Sequence, residues 1–574
     1  MNINKICTSH FCQQKFEITD KDLLFYQKMK VPAPKICFDC RQQQKLAFRN
    51  ERKLYHNTCK HCQKPMISIY SPEKTYPVYC TTCWWGDSWN PFDYGRDFDF
   101  SRPFFEQFKD LWDVVPKLGL LSLGDMVNSD YAHDAIRLAN CYLVFDGEQG
   151  KDCYYGESFV TIQDCCDFLF LQRSELCYEC VNCNDCYNVN FSRYAYNCSD
   201  SSFLLNCQSC RNCFGCVNLQ QKEYHIFNKP YSKEEYQKTL VSFNLGDYDT
   251  LQKLKKEAEI FFQKFPQKYL HGLMNENVSG DNLNGCKDTF ESYDCANLRD
   301  CKYCTNMLMG ATDCYDINIW GNNLSLAYNC AGIGEGGQNI IASYYVAFGA
   351  QNIFHSIFCL NGVENLFGCV GLQHKKNCIL NKQYSEEEYK KLVLRIIEHM
   401  QKTRAHGASA QALDLAGAEF ANQEWAEAFP ASLSPFGYNE TVADEYYPLT
   451  REQALAQGFN WRNPDPKEYQ RQIYLIPAGI KDVPDQITKE VLACEVCQKN
   501  FKITVQELKF YRRKNLPIPR KCSDCRHKDR LALRNPRKLW TCACGKCGTA
   551  IQTTYSPERP EKVYCEKCYL EAVY

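Results

Sequence analysis

The stretch Cys207-Gln-Ser-Cys210-Arg-Asn-Cys213-Phe-Gly-Cys216-Val-Asn-Leu-Gln220 poses the question on which the fold turns. Its C-x2-C-x2-C-x2-C spacing, already present at Cys177, Cys180, Cys183 and Cys186, resembles a ferredoxin ligand run, although the bacterial pattern ends in x3 and then Cys-Pro. The chain supplies an answer from within. At an offset of 153, Asn212-Cys-Phe-Gly-Cys-Val-Asn-Leu-Gln220 returns as Asn365-Leu-Phe-Gly-Cys-Val-Gly-Leu-Gln373. The match continues through Asn228-Lys229 and Tyr231-Ser232 to Asn381-Lys382 and Tyr384-Ser385. Cys207, Cys210 and Cys213 then fall against Leu360, Val363 and Leu366, and only Cys216 remains cysteine, as Cys369. Leu and Val replace a buried apolar group, not a metal ligand, so the central cysteines read as core rather than as an iron-sulfur site.

Outward from this stretch, residues 141–226 and 283–382 are rich in Cys, Asn, Asp, Tyr and Phe, with few helical periods. Cys165, Cys186 and Cys207 are 21 apart, as are Cys177 and Cys198. A fixed period of this size predicts a parallel β-solenoid whose coil brings the same inward position back every turn. The expected fold is mainly β: two Cys-rich solenoid halves, each ended by a charged helix, with right-handed coiling from the usual crossover rule. The second helix is expected over 386–403.

Beyond the solenoid, the chain is bracketed by two copies of one module. Four C-x2-C pairs occupy the C-terminal end, Cys494/Cys497, Cys522/Cys525, Cys544/Cys547 and Cys565/Cys568. Subtracting 485 lands on Cys12, Cys37, Cys40, Cys59, Cys62, Cys80 and Cys83, with Phe16, Phe25-Tyr26, Pro32, Pro34 and Tyr70-Ser-Pro-Glu73 repeating Phe501, Phe510-Tyr511, Pro517, Pro519 and Tyr555-Ser-Pro-Glu558. Each C-x2-C turn presents two thiolates to one ion, and two turns complete a closed tetrahedral shell, the pattern of structural zinc. About four zinc ions are therefore expected, held by sixteen of the 39 cysteines. Spacing alone leaves sequential and crossed pairing open. The position matching Cys494 is Ser9, so the first ligand is expected to be Cys7, with His10 as its competitor.

The string Cys522-Ser-Asp-Cys525-Arg526, preceded by Phe510-Tyr511 and Pro517-Ile-Pro519, resembles a zinc-ribbon (treble-clef) family of uncharacterised bacterial proteins, over the two end stretches 1–85 and 490–574. In that family the first half of the module can stand alone, which implies sequential pairing. The resemblance implies no activity.

After Cys40 and again after Cys525, basic residues recur at every fourth position: Arg41, Lys45 and Arg49, then Arg526, Arg530 and Arg534. Arg52, Lys53, Lys528, Arg537 and Lys538 extend the two clusters. A helix starting at the metal would carry them as one row, which predicts a nucleic-acid surface, RNA foremost, or else a solvated helix face. The net charge of −1 conceals ends that carry about twice as many Lys and Arg as Asp and Glu. Phe104, Phe105, Phe108, Leu111, Trp112 and Val115 have the spacing of an amphipathic helix.

The expected layout is a zinc module over 1–90, a helical connector over 91–139, solenoid halves with their helices over 140–265 and 266–403, an Ala-rich linker and irregular arm over 404–489, and a second zinc module over 490–574. The Met1-Asn-Ile-Asn start has no apolar signal core and no stretch is apolar enough to span a membrane, so a reducing cytoplasm is expected. There is no Walker loop, dinucleotide glycine motif, nucleophile elbow or H-E-x-x-H. Three classes of function follow: a non-catalytic RNA-binding protein, a protein-assembly scaffold binding partners on the solenoid faces, and a redox protein or enzyme using the solenoid surface.

Overall fold

A computed structural model describes residues 2–9, 11–402, 424–463 and 468–573. His10, Thr403, the Ala-rich stretch and Pro464-Asp-Pro466 lie outside the described residues. The chain divides into two compact units, each built from two separate stretches: Met1–Leu120 with Gly272–Asn463, and Leu121–His271 with Pro464–Tyr574. Each unit pairs one metal module with one solenoid half, and the pairing is crossed. The N-terminal module sits with the second half and the C-terminal module with the first.

The solenoid of the second unit is written in triplets. From Asp134 to Phe227 every third residue has positive φ. A left-handed residue turns the chain sharply, and Asn and Asp tolerate that conformation better than other side chains except glycine. This accounts for the Asn/Asp richness of the stretch: Asp134, Asn140, Asp146, Asp152, Asp164 and Asp167 all sit at such corners. Parallel strands pair Tyr142 with Tyr154 and Leu169 with Val181, and stacked side chains such as Asn140 and Asp152 bond across the same interval of 12. One rung is therefore four sides of three residues. The expected 21-residue coil is corrected to 12. Twenty-one is seven sides, so cysteines at that spacing point inward from different walls.

The interior follows the same rule, because every buried member of this core, from Ala132 to Cys216, occupies a residue number divisible by three. Volume is balanced between rungs. Gly147 lies one rung before Phe159 and Gly156 one rung before Phe168, and a Cβ at either glycine would fall within 2.5 Å or less of the ring. Inward thiols also satisfy the backbone: Cys180 Sγ donates to the carbonyls of Tyr178 (3.6 Å) and Val189 (3.3 Å). Ser192 does the same work from the equivalent slot, donating to Asn190 O at 2.7 Å. Cysteine suits this core because it is small, apolar enough to bury and still a weak donor.

In the first unit the rungs between Leu298 and Glu364 are longer by a single position, while those before and after keep an interval of 12 or, at the very start, 11. Ser325, Gln338, Gln351 and Glu364 pair in succession, and the stacked amides of Asn339, Asn352 and Asn365 bond across the same interval of 13. The added residue goes into a corner. Gly336, Gly349 and Gly362, which recur at that interval, take φ of 74°, 78° and 64° there. A side chain at Gly349 would meet nothing within 4 Å, so backbone conformation, not space, requires glycine. This insertion alters the alignment of the halves: Cys216 and Cys369, Cys213 and Leu366, and Cys210 and Val363 are equivalent, but Cys207 corresponds to Cys359 rather than Leu360. Cys207 and Cys359 make the same bonds, to the carbonyl two residues back and to that of Cys216 or Cys369.

Both solenoid halves end alike. Asn228 pairs both its amide groups with the backbone of Val217, and Asn381 does so with Val370, closing an edge that would otherwise present unpaired groups. Capped helices follow, Lys233–Ser242 behind Ser232 and Glu386–Lys402 behind Ser385. The connector forms the helix Phe104–Val114, with Phe104, Phe105, Phe108, Leu111 and Trp112 buried.

Candidate metal centres and the docked basic helices

Each metal module is built from two similar halves, and in each half the first cysteine pair lies on a hairpin. The residue after its second cysteine, Gln13, Gln63, Gln498 or Gly548, has positive φ and turns the backbone around the sulfurs. The other pair opens a helix, with Cys37, Cys80 and Cys522 at the N-caps of Phe38–Leu46, Thr81–Trp85 and Ser523–Ala532. The folded chain thus gathers four sets: Cys7, Cys12, Cys37 and Cys40; Cys59, Cys62, Cys80 and Cys83; Cys494, Cys497, Cys522 and Cys525; Cys544, Cys547, Cys565 and Cys568. Within each set all sulfurs lie within 4.8 Å of one another, and Cys7 belongs to the first. The grouping is sequential.

Sulfur separations include 3.5 Å for Cys12–Cys37, 3.6 Å for Cys497–Cys522, 3.8 Å for Cys547–Cys565 and 3.9 Å for Cys62–Cys80. Four thiolates at about 2.3 Å from a tetrahedral ion would stand roughly 3.8 Å apart, so the sets have the dimensions of a closed four-thiolate shell. Backbone N–H groups support the thiolate form: Cys37 N donates to Cys7 Sγ at 3.2 Å, Cys80 N to Cys59 Sγ at 3.2 Å, and Cys565 N to Cys544 Sγ at 3.3 Å. At Cys494 burial raises the thiol pKa, but backbone donors at Cys497 and Cys522 outweigh it and bring the group to about 6. The four sets can hold four metal ions.

The central cysteines are different. Among the described residues no three of them bring their sulfurs within 4.8 Å of one another. Burial also pushes the Cys295 thiol well above its usual range and the Cys330 thiol up to about 12. Protonated thiols such as these two are packing groups.

The first two members of each basic row lie on a helix that starts at the metal, with Arg49 and Arg534 just past its end, but the rows face inward. Arg526 and Arg530 are 7% and 3% exposed and share the buried carboxylate of Asp167, at 3.2 and 2.7 Å. Arg526 also reaches Glu507 at 3.3 Å and the Tyr511 hydroxyl at 2.9 Å, and lies over the Tyr155 ring. Tyr155 closes the network by donating to Glu507 at 2.9 Å, while Arg530 donates to Tyr155 O at 3.0 Å. Arg534, 8% exposed, covers the Phe170 ring at 4.1 Å.

The first unit places residues at the matching positions but with changed contacts. Arg41 bonds Asp316 at 3.0 Å and covers Tyr303, Lys45 donates to Asp316 O at 2.5 Å, and Arg49 bonds Asn318 and Glu51. Asp22, which stands where Glu507 does in the other copy, receives Lys302 at 2.9 Å. Burial brings the Lys45 ammonium down to about 8. At Arg41 burial opposes the charge, and Asp316 together with Tyr26, Tyr328 and Tyr303 more than restores it. The expectation that these rows face solvent is therefore corrected: all six cations are buried, and Arg41, Lys45, Arg526 and Arg530 pair with Asp316 or Asp167 of the solenoid wall. Of the remaining basic residues, Lys528 and Lys538 are exposed, Arg52 and Lys53 half-buried, and Arg537 buried.

Sequence reasoning missed Asp167, Asp316, Tyr155 and Tyr303, the acceptors of the rows. A signal existed: each aspartate follows its tyrosine by one rung, Tyr155 to Asp167 in one half and Tyr303 to Asp316 in the other. Among the described residues no helix is long and apolar enough to cross a membrane. No family model matches the chain, and no curated protein does. Among solved structures, it is similar to a putative acetyltransferase from Desulfovibrio desulfuricans G20, at 9% identity over 49% of this chain and 71% of that one, with a TM-score of 0.10. A likeness that low carries no argument about fold or activity.

Proposed function

We propose that this protein is a non-catalytic scaffold for protein assembly, in which four structural zinc ions stiffen two duplicated modules that clamp the solenoid halves. The observation that carries this reading is the burial of both basic rows against Asp167 and Asp316. A helix built to hold phosphates would keep its cations in water, whereas these are paired inside each unit. Zinc is favoured by four closed all-thiolate sets on small hairpin-and-helix halves, which leave no open coordination position for chemistry. The solenoid faces that remain would carry the partners.

The RNA reading takes second place, resting on the exposed Lys528 and Lys538 with Arg52 and Lys53 beside the other module. Purification of the native full-length chain from its source under low salt tests the two. A stoichiometric protein partner with nuclease-insensitive retention is expected. Copurifying RNA, lost with nuclease and with rising salt, would reverse the order.

A further inference from the structure

The two copies of the module meet their solenoid halves at matching corners, so each copy is a control for the other. Arg513 of the second unit and Lys28 of the first, 485 apart, each bridge a corner aspartate, Asp164 at 2.9 Å and Asp313 at 3.0 Å. One rung earlier the corners match again, as Asp152 and Asp300. Each stands three residues before the tyrosine, Tyr155 or Tyr303, that lies under the first arginine of its row, and each takes positive φ, of 52° and 51°.

At this earlier corner the two units differ. In the first, Lys21 brings its ammonium to Asp300 at 3.0 Å and over the Phe290 ring, 5.5 Å from the centroid. A carboxylate beside an aromatic face suits an ammonium, because the carboxylate charge and the ring quadrupole attract it together. In the second unit the carboxylate is kept as Asp152 and the ring as Tyr142, which pairs with Tyr154 as Phe290 pairs with Lys302. The ammonium is not kept: the residue 485 positions on from Lys21 is Gln506. Lys302, which gives the first unit a second ammonium and bonds Asp22 at 2.9 Å, is likewise replaced, by Tyr154.

Gln506 and Asp152 line an open cavity of about 480 Å³ within the second unit, a size in the range of small-ligand sites. Three phenol rings line it, Tyr131, Tyr142 and Tyr154, and the first two meet at 5.2 Å with their planes 62° apart, forming an aromatic corner. Two carboxylates line it, Asp130 and Asp152, and no lysine, arginine or histidine does. Among the described residues neither carboxylate has an ion-pair partner, and the Asp152 side chain accepts only from Asn140 Nδ2, at 3.1 Å. Asn140 in turn accepts from Asn128 Nδ2 at 3.0 Å, so the corner side chains form a row that ends on a negative charge.

We propose that this cavity binds an alkylammonium group from outside the chain, carried by a free amine or by a lysine of another protein, at the place where the first unit uses its own Lys21. The ammonium bonds Asp152 and lies against the Tyr142 ring, Asp130 adds to the negative field, and the carbon chain rests on the remaining rings. Anions are repelled by the same charges. An inorganic cation would use the carboxylates and leave the three rings without a role. This site goes beyond the scaffold reading: a free amine leaves that reading as it stands, and a lysine adds a contact to it.

Isothermal titration calorimetry of the full-length zinc-loaded protein at low salt tests the proposal with two probes, cadaverine and the acetylated, amidated peptide Ala-Ala-Lys-Ala-Ala, and with 1-pentanol as the uncharged control. Saturable binding of at least one amine is expected, and none of 1-pentanol. Asp152→Asn keeps a residue that tolerates the left-handed corner, and should weaken amine binding at least about tenfold. Gln506→Lys supplies the ammonium that the first unit already holds, and should abolish it. Cadaverine bound alone assigns the site to a free amine, the peptide bound alone assigns it to a partner's lysine, and both bound with loss in the two variants supports the shared chemistry. No saturable binding of either amine at about 10 mM would overturn the proposal. So would equal binding by the parent and both variants, or binding of 1-pentanol as tight as that of the amines.

Discussion

Replacing Asp167 by asparagine keeps the side-chain shape and removes the negative charge that Arg526 and Arg530 share. Taking one partner from a buried ion pair costs about 3–5 kcal/mol, because the remaining charge stays out of water. Here the lower part of that range applies. Arg526 retains Glu507 at 3.3 Å, Arg530 retains the Tyr155 carbonyl at 3.0 Å, and asparagine can still accept a hydrogen bond. A loss of about 3 kcal/mol, at roughly 2–4 °C per kcal/mol for a unit of this size, lowers its melting temperature by about 6–12 °C. Calorimetry of the full-length zinc-loaded protein would follow this, and the parent transition should be nearly independent of salt because buried pairs are poorly screened. If the rows instead served phosphates, Asp167→Asn would free two arginines and strengthen RNA binding. Unchanged melting with tighter RNA binding would refute the argument for an internal clamp.

Metal analysis after gentle purification should find about four zinc ions per chain, and a strong chelator should unfold both modules; two or fewer ions would contradict the closed-shell reading. Cys210→Val with Cys213→Leu should leave melting within about 1 kcal/mol of the parent, because Val363 and Leu366 fill the same slots in the other half, whereas Cys207→Leu should cost about 1–3 kcal/mol by overpacking a slot where both halves keep cysteine. Iron or visible absorbance lost in the double variant would count for a cluster. Burial holds His355 at about 3 against an ordinary 6.5, so the unfolded chain takes up that proton first, and the stability is complete above 6.5 and lost as pH falls below it. Between pH 7 and about 5.5 that loss is about 1.4 kcal/mol, and His355→Asn should flatten the melting profile in this window; an unchanged slope would show that other groups set it.

The four cysteine sets were legible because their determinants are local: two residues between ligands and a hairpin or helix start to present them. The solenoid was legible as a period, but its rung was not. With an inward residue at every third position, any multiple of three correlates, and only strand register separates 12 from 21. The misalignment of Cys207 with Leu360 has a related cause, a single corner residue at Gly362 that an ungapped comparison cannot register. Of the expected row, Arg526 and Arg530 lie on the helix while Arg534 follows its end, and the surroundings of all three were misread. Asp167 is 363 residues from Arg530, and nothing near the row in sequence announces a buried acceptor.

The crossed pairing of modules and solenoid halves sets an order of assembly during synthesis. Lys45 is complete 271 residues before the Asp316 that receives it, an interval of about 15–50 s at ordinary elongation rates. Over that time the first module can load its metal, since all of its ligands are in place, while its cationic helix waits without its counter-charge and lies open to any passing polyanion. The first solenoid half waits longer for its own clamp, since Arg530 follows Asp167 by 363 residues. A nascent chain stalled between a basic helix and its counter-charge would therefore expose surfaces that the finished protein hides.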